Sequence, residues 1–68
     1  MTADQFRAAR AKLGLSSAKL AQLLRMGHWG GRTIRRWEAG ESPISGPAAV
    51  AVEAMLAGYQ PKEVNGHE

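Results

Sequence analysis

The amino-acid sequence predicts a compact all-α domain of four to five short helices. Signals for a helix start precede several apolar stretches, and glycines follow them. Apolar residues recur at helical spacing within these stretches. Hydrophobic residues make up 44% of the chain and aromatic residues only 6%, which is typical of helices rich in Ala and Leu.

The chain length limits the organisation to one small domain. We assign residues 1–58 of the 68-residue chain to that domain and residues 59–68 to a flexible tail. A domain of this size buries only roughly 60% of its unfolded surface. Because the sequence has no cysteine, disulfides and thiolate metal sites are excluded, and oligomerisation remains as the common source of added stability.

Charge is distributed unevenly along the chain. Residues 1–40 contain eight basic and two acidic residues, a net charge of +6, whereas residues 41–68 contain one lysine and four glutamates, a net charge of −3. This asymmetry favours one surface that faces a polyanion such as nucleic acid. No apolar run approaches the ~20 residues of a membrane span, and no signal peptide is apparent, so we expect a cytoplasmic protein without membrane contact.

The first helix is predicted to begin near Ala3. Thr2 and Gln5 match the spacing of a capping box, and Gly14 is expected to end the helix. The apolar stripe of this helix consists of Phe6, Ala9 and Leu13.

The second helix is predicted over about Ser17–Arg25, with Ser16 as its N-cap. Its small residue Ala21 would let a neighbouring helix approach closely. Its expected apolar contacts are Leu20, Ala21, Leu23 and Leu24.

A glycine-rich loop is expected over residues 27–31, because three glycines in five residues disfavour a helix. Trp29 in this loop could fill a pocket, lie exposed or contact a ligand. His28 is expected to be an ordinary loop histidine, since the sequence has no metal-binding or catalytic histidine spacing.

The third helix is predicted over Arg32–Ala39, with Gly40 as its stop. Ile34 and Trp37 share one face at i, i+3 spacing, and the three arginines at positions 32, 35 and 36 fall mostly on the other. An α-helix fits the major groove of DNA, where arginine recognises guanine and also pairs with phosphate. The alternative is an ordinary solvated basic helix face.

The fourth helix is predicted over Pro47–Ala57 and ends before Gly58. It is apolar on nearly every side, with Glu53 as its only charge. Either one face contacts a second subunit, giving a homodimer, or the helix is a core helix with exposed alanines.

These segments, in this order, resemble the helix-turn-helix domain of the phage Cro and cI repressor family. The most specific pieces are the LGLS and LAQLL motifs from Leu13 to Leu24 and the TIRRWEAG motif at residues 33–40. The resemblance covers about residues 5–57. It implies a lambda-repressor-like fold, in which the second helix crosses the DNA backbone and the third enters the major groove.

The resemblance also implies structural roles. It implies that Gly14 and Ala21 are required for the fold, with Ala21 at the close crossing of two helices. It also makes Ile34 and Trp37 the buried residues of the recognition helix. A salt bridge is implied between Arg10 and Glu38, which removes Arg10 from the candidate DNA contacts.

Two departures from the family pattern affect the DNA contacts. The family often has glutamine where this chain has Ser17, so the contacts that glutamine makes do not transfer. The connection before the third helix also looks about three residues longer than usual, because residues 27–29 have no clear counterpart. Contacts just before Thr33 therefore do not transfer by position.

The predicted function is sequence-specific binding of double-stranded DNA by a transcriptional regulator, most simply a repressor from a phage or mobile element. A homodimer on an inverted repeat is expected, with the helix Pro47–Ala57 as its contact. Arg32 and Arg35 are predicted to contact bases, and Arg36 a phosphate. The full set of predicted DNA-binding residues is Ser17, Lys19, Gly31, Arg32, Thr33, Arg35 and Arg36.

A second class of function is a protein-interaction module, such as an antitoxin that binds its partner through the fourth helix. Enzymatic activity is not expected, because the sequence has no paired carboxylates, no nucleophile with a base and no phosphate-binding glycine loop. We expect no cofactor, metal or small-molecule ligand.

Overall fold

The computed structural model describes residues 1–62. Over this range the chain forms four helices and no strand, which confirms the predicted all-α class. The helices are α1 (Ala3–Leu13), α2 (Ser17–Leu23), α3 (Gly30–Glu38) and α4 (Gly46–Leu56). The described part of the chain measures 34 × 26 × 20 Å along its principal axes.

Side-chain caps begin three of the helices. The Thr2 hydroxyl accepts the Gln5 amide at 3.1 Å, and the Gln5 side-chain oxygen accepts the Thr2 amide at 2.8 Å, completing the predicted capping box. Ser16 accepts an amide of α2 at 3.0 Å. Ser45 does the same for α4 at 3.2 Å. These bonds satisfy amides that a helix start leaves without an intrahelical partner.

All four helices end in the same backbone arrangement. A residue with positive φ follows each helix, and the next amide donates to a carbonyl five residues earlier, the pattern of a Schellman motif. Three of these residues are glycines, Gly14, Gly40 and Gly58, with φ of 71°, 77° and 111°. The fourth is Arg25, with φ of 57°. The prediction that α2 extends to Arg25 was therefore wrong, because the left-handed backbone at this residue ends the helix.

The core takes one fully buried side chain from each helix: Phe6, Leu20, Ile34 and Val52. The Phe6 and Trp37 rings meet edge to face, with 5.7 Å between their centroids. Smaller contributions come from Ala9, Ala21, Ala48 and Met55. In this one hydrophobic cluster, α1 packs against α3 and α4, and α2 packs against α3.

Helix α3 begins two residues earlier than predicted, and Gly30 in its first turn lies at a close helix crossing. A Cβ atom added to Gly30 would lie 2.8 Å from the Ala21 Cβ and 2.7 Å from the Met26 Cβ. Both atoms are attached directly to backbone and cannot move aside easily. Gly30 is therefore required for packing within the first turn of α3, and the prediction that the glycines form only a loop was wrong.

Helix α4 is buried along one face only. Ala48, Val52 and Met55 face the core, whereas Val50 is 65% exposed and Leu56 is 39% exposed. Glu53 is exposed on the same outer side. The exposed residues of this helix thus include a valine and a leucine. The homodimer contact through this helix stays a prediction.

Residues 59–62 follow α4 without helical structure, and the rest of the predicted tail lies outside the described residues. Tyr59 is 62% exposed, and Pro61 is half-buried. None of the four described helices has the length and apolar content required to cross a lipid bilayer.

The helix crossing generates a prediction with a matched control in the adjacent glycine. Gly30→Ala should destabilise the fold by about 1–3 kcal/mol, because the added methyl overpacks the α2–α3 contact. Gly31→Ala should instead stabilise it by up to about 1 kcal/mol, since Gly31 is helical and its added Cβ would meet Ala18 only at 3.5 Å. Urea denaturation of both variants measures the difference. Equal free energies of unfolding would contradict the packing role of Gly30.

Candidate nucleic-acid interface

Helix α3 separates an apolar face from a basic one. Gly30, Ile34 and Trp37 follow i, i+4, i+7 spacing and are buried. The arginines at positions 32, 35 and 36 are all exposed. Because the buried residues fix the rotation of α3 about its axis, the arginines necessarily point away from the core.

A salt bridge fixes the end of α3 against α1. The Arg10 guanidinium donates two hydrogen bonds to the Glu38 carboxylate, at 2.7 and 2.8 Å, and a third to the Leu15 carbonyl at 3.1 Å. The Glu38 side chain is only 8% exposed and that of Arg10 only 23%. This is the pair that the family resemblance implies, and it joins residues 28 positions apart in sequence.

The salt bridge keeps Arg10 charged. Hydrogen bonding to Glu38 raises the pKa of Arg10 above its ordinary value, even though burial acts to lower it, and the negative charge of Glu38 adds to the increase. A raised pKa means that the stabilisation is fully present below the ordinary pKa of arginine and is lost only at still higher pH. Titration of Arg10 therefore does not weaken the bridge anywhere in the neutral pH range.

The exposed arginines of α3 line an open groove, which we call the arginine groove. Among the described residues, its charged lining consists of four arginines and one carboxylate: Arg25, Arg32, Arg35, Arg36 and Glu41. Residues of α2, the α2–α3 connection and α3 complete the lining: Ala18, Ala21, Gln22, Gly27, His28, Trp29, Gly31 and Ala39.

The charge of this groove is only weakly compensated. Arg36 approaches Glu41 at 3.7 Å, but both side chains are about 60% exposed. An exposed ion pair of this kind contributes at most about 1 kcal/mol, and salt screens it. The groove therefore carries a net positive charge that can attract a polyanion.

The predicted DNA-binding residues do not all lie in this groove. Gly31 and the three arginines of α3 line it, whereas Ser17, Lys19 and Thr33 are half-buried and lie outside its lining. The Thr33 hydroxyl donates to the Trp29 carbonyl at 3.2 Å. Thr33 also borders a second depression beside α4. The backbone amide of Lys19 is already bonded to Ser16, so it is not available to a phosphate.

Two large exposed side chains of the groove, Trp29 and Arg25, are not in the predicted DNA-binding set. Trp29 is 66% exposed, so of the three alternatives for this side chain, filling a pocket is excluded. Its ring meets His28 edge to face at 4.7 Å. Arg25 is the second such residue. The available sequence signal was an arginine at the end of a helix where the other three helices are followed by glycine.

Within residues 1–62, no three His, Cys, Asp or Glu side chains lie close enough together to bind a metal ion. No buried side-chain nitrogen or oxygen in this part of the chain lacks a hydrogen-bond partner.

Comparisons with family models, with curated proteins and with solved structures find no match to this chain. The resemblance to the Cro and cI family therefore stays a prediction from the residues.

The two glutamates paired with arginines provide a matched test of the salt bridge. Glu38→Gln should cost about 2–3 kcal/mol of stability, because it leaves the half-buried guanidinium of Arg10 without its carboxylate. Glu41→Gln should change stability by less than about 0.5 kcal/mol, because its pair with Arg36 is exposed. Thermal unfolding at neutral pH measures both effects. If the two variants unfolded at the same temperature, the buried bridge would not be an important constraint.

Proposed function

We propose that this protein is a sequence-specific regulator that binds double-stranded DNA and acts most simply as a transcriptional repressor. In this proposal the four helices form a lambda-repressor-like helix-turn-helix domain, with α2 and α3 as its two central helices. Helix α3 enters the major groove, and the arginine groove faces the DNA.

The observation that carries the proposal is the arrangement of three arginines on the exposed face of a rigidly packed helix. Gly30, Ile34 and Trp37 pack one face of α3 into the core, and Glu38 joins its end to α1. The opposite face presents three guanidinium groups to solvent. An α-helix with its side chains is about 10–12 Å in diameter, so the nine-residue helix α3 suits a major groove about 12 Å wide.

We propose contacts for the arginines according to their positions along α3. Arg32 and Arg35 are proposed to contact base edges, because the early part of a recognition helix faces the floor of the groove. Arg36 is proposed to contact a phosphate. Thr33 is proposed to contact a phosphate or a thymine methyl group. A phosphate contact requires the Thr33 hydroxyl to give up its hydrogen bond to the Trp29 carbonyl.

Contacts outside α3 would fix the domain on the DNA backbone. Ser17 and Lys19, near the start of α2, are the proposed residues, and Gly31 would allow a close approach at the start of α3. A single domain of this size covers only a few base pairs. A homodimer that contacts through α4 and binds an inverted repeat is therefore proposed.

The exposed apolar side chains of α4 also support a second candidate function. Val50 and Leu56 are exposed on its outer side and could contact a different protein, as in an antitoxin. This candidate gives no reason for three arginines on the exposed face of α3. DNA binding accounts for them directly, so we prefer it.

Selection from a randomised duplex library, followed by titrations at two salt concentrations, tests the proposed function. The expected result is an inverted repeat that is bound at least ~10³-fold more tightly than bulk DNA. The half-site spacing would also test the dimer. Weak, salt-sensitive binding without sequence preference would contradict the proposal and favour a protein partner for α4.

Substitution of two arginines on α3 should separate base contacts from phosphate contacts. Arg35→Ala should lose about 1–3 kcal/mol on the selected site and relax the preference at one base pair. Arg36→Ala should weaken binding to all duplexes similarly and reduce the slope of log K against log salt by about one unit. Fluorescence anisotropy on selected and scrambled duplexes measures both.

Arg7→Ala is the matched control for these variants. It removes one exposed arginine from α1, where Arg7 pairs with Asp4 at 2.7 Å and lies outside the arginine groove. Its specificity should equal that of the wild type. If Arg35→Ala behaved like Arg7→Ala on the selected site, the assignment of Arg35 to a base would be wrong.

A further inference from the structure

Arg25 occupies a backbone conformation that arginine disfavours. Its φ is 57°, and no other residue apart from glycine has positive φ in the described chain. A side chain in the left-handed region places its Cβ too close to the following carbonyl oxygen. The equivalent positions after the other three helices are all glycine, which avoids this strain.

No hydrogen bond or ion pair among the described residues accounts for an arginine at this position. The Arg25 side chain is exposed and forms no hydrogen bond or ion pair with any other residue between Met1 and Lys62. Glycine at this position would make the same backbone bonds, from its amide to Gln22 and from the next amide to Ala21. Within residues 1–62, no hydrogen bond or ion pair of the side chain therefore offsets the strain.

The location of Arg25 indicates that a bound ligand offsets its backbone strain. Arg25 lies in the α2–α3 connection and lines the arginine groove together with Arg32, Arg35 and Arg36. It also borders the depression beside α4. Four guanidinium groups around one groove repel one another in the free protein, and a bound polyanion would reverse that cost. Backbone strain that persists at such a position is typical of functional residues.

We propose that Arg25 is a DNA phosphate contact, with its strained backbone retained because the guanidinium is required at the edge of the arginine groove. The proposal rests on the proposed function, since it needs duplex DNA as the ligand. Phosphate is the expected partner because Arg25 lies in the connection and not on the face of α3 directed at the bases. This contact is independent of sequence, so it can be measured on any duplex.

The decisive variant is Arg25→Gly, which should change stability and DNA binding in opposite directions. Removing the strain and the charge repulsion should raise Tm by about 3–6 °C. Removing one phosphate contact should reduce the salt slope by about 0.9 and weaken binding roughly tenfold at ~0.1 M salt. Thermal unfolding and anisotropy titrations on a random-sequence duplex measure the two effects.

Two further variants separate charge from backbone strain. Arg25→Lys keeps the charge in a similarly strained position, so its salt slope should match the wild type. Arg25→Asn tolerates the left-handed region but has no charge, so it should resemble Arg25→Gly in DNA binding. Arg7→Ala serves again as the control for loss of one arginine elsewhere.

The outcomes distinguish this inference from the proposed function. If Arg25→Gly bound the random duplex with the wild-type affinity and salt slope, the Arg25 contact would be excluded even if a specific operator exists. If the slope fell but no specific operator emerged from selection, the Arg25 contact would stand and sequence-specific regulation would fail. If the wild type bound no duplex at all, both would be wrong.

Discussion

The close crossing of α2 and α3 is the constraint on which the rest of the structure depends. Gly30 and Ala21 must both be small, because any Cβ on Gly30 would overlap the Ala21 and Met26 Cβ atoms. The crossing sets the distance between the two helices, while Ile34 and Trp37 set the rotation of α3. Packing sets both the distance and the rotation, so the direction of the α3 arginines does not depend on the exposed Arg36–Glu41 pair. The Arg10–Glu38 bridge then fixes the far end of the same helix.

The same packing concentrates positive charge at one place. Arginines from α3 and from the α2–α3 connection surround one groove, to which residues 1–62 contribute one carboxylate. Such an arrangement is unfavourable for the free protein and favourable for a complex with a polyanion. Arg25 adds backbone strain to that cost. A small domain has little stability to spare, so the accumulation of two costs at one surface is a physical argument for function there.

The sequence predicted those parts of the fold that depend on local chemistry. The capping box at Thr2, the serine cap at Ser16 and the glycine stops at Gly14 and Gly40 all lie where expected, because each depends on only a few neighbouring residues. The start of α3 was missed, because the role of Gly30 depends on Ala21, nine positions away and on another helix. The exposure of Trp29 and the left-handed backbone of Arg25 likewise follow from how the α2–α3 connection packs. Local propensity alone could not predict either.

An amide chemical-shift map of the isotopically labelled protein, recorded during titration with duplex DNA, tests most directly whether the arginine groove binds DNA. The largest changes should fall on α3 and on residues 25–29, together with the start of α2. The outer face of α1 around Arg7 should remain unchanged. Changes confined to α4, or none at stoichiometric duplex, would contradict a DNA-binding role for the arginine groove. The outer face of α4 would then be the surface to examine for a protein partner.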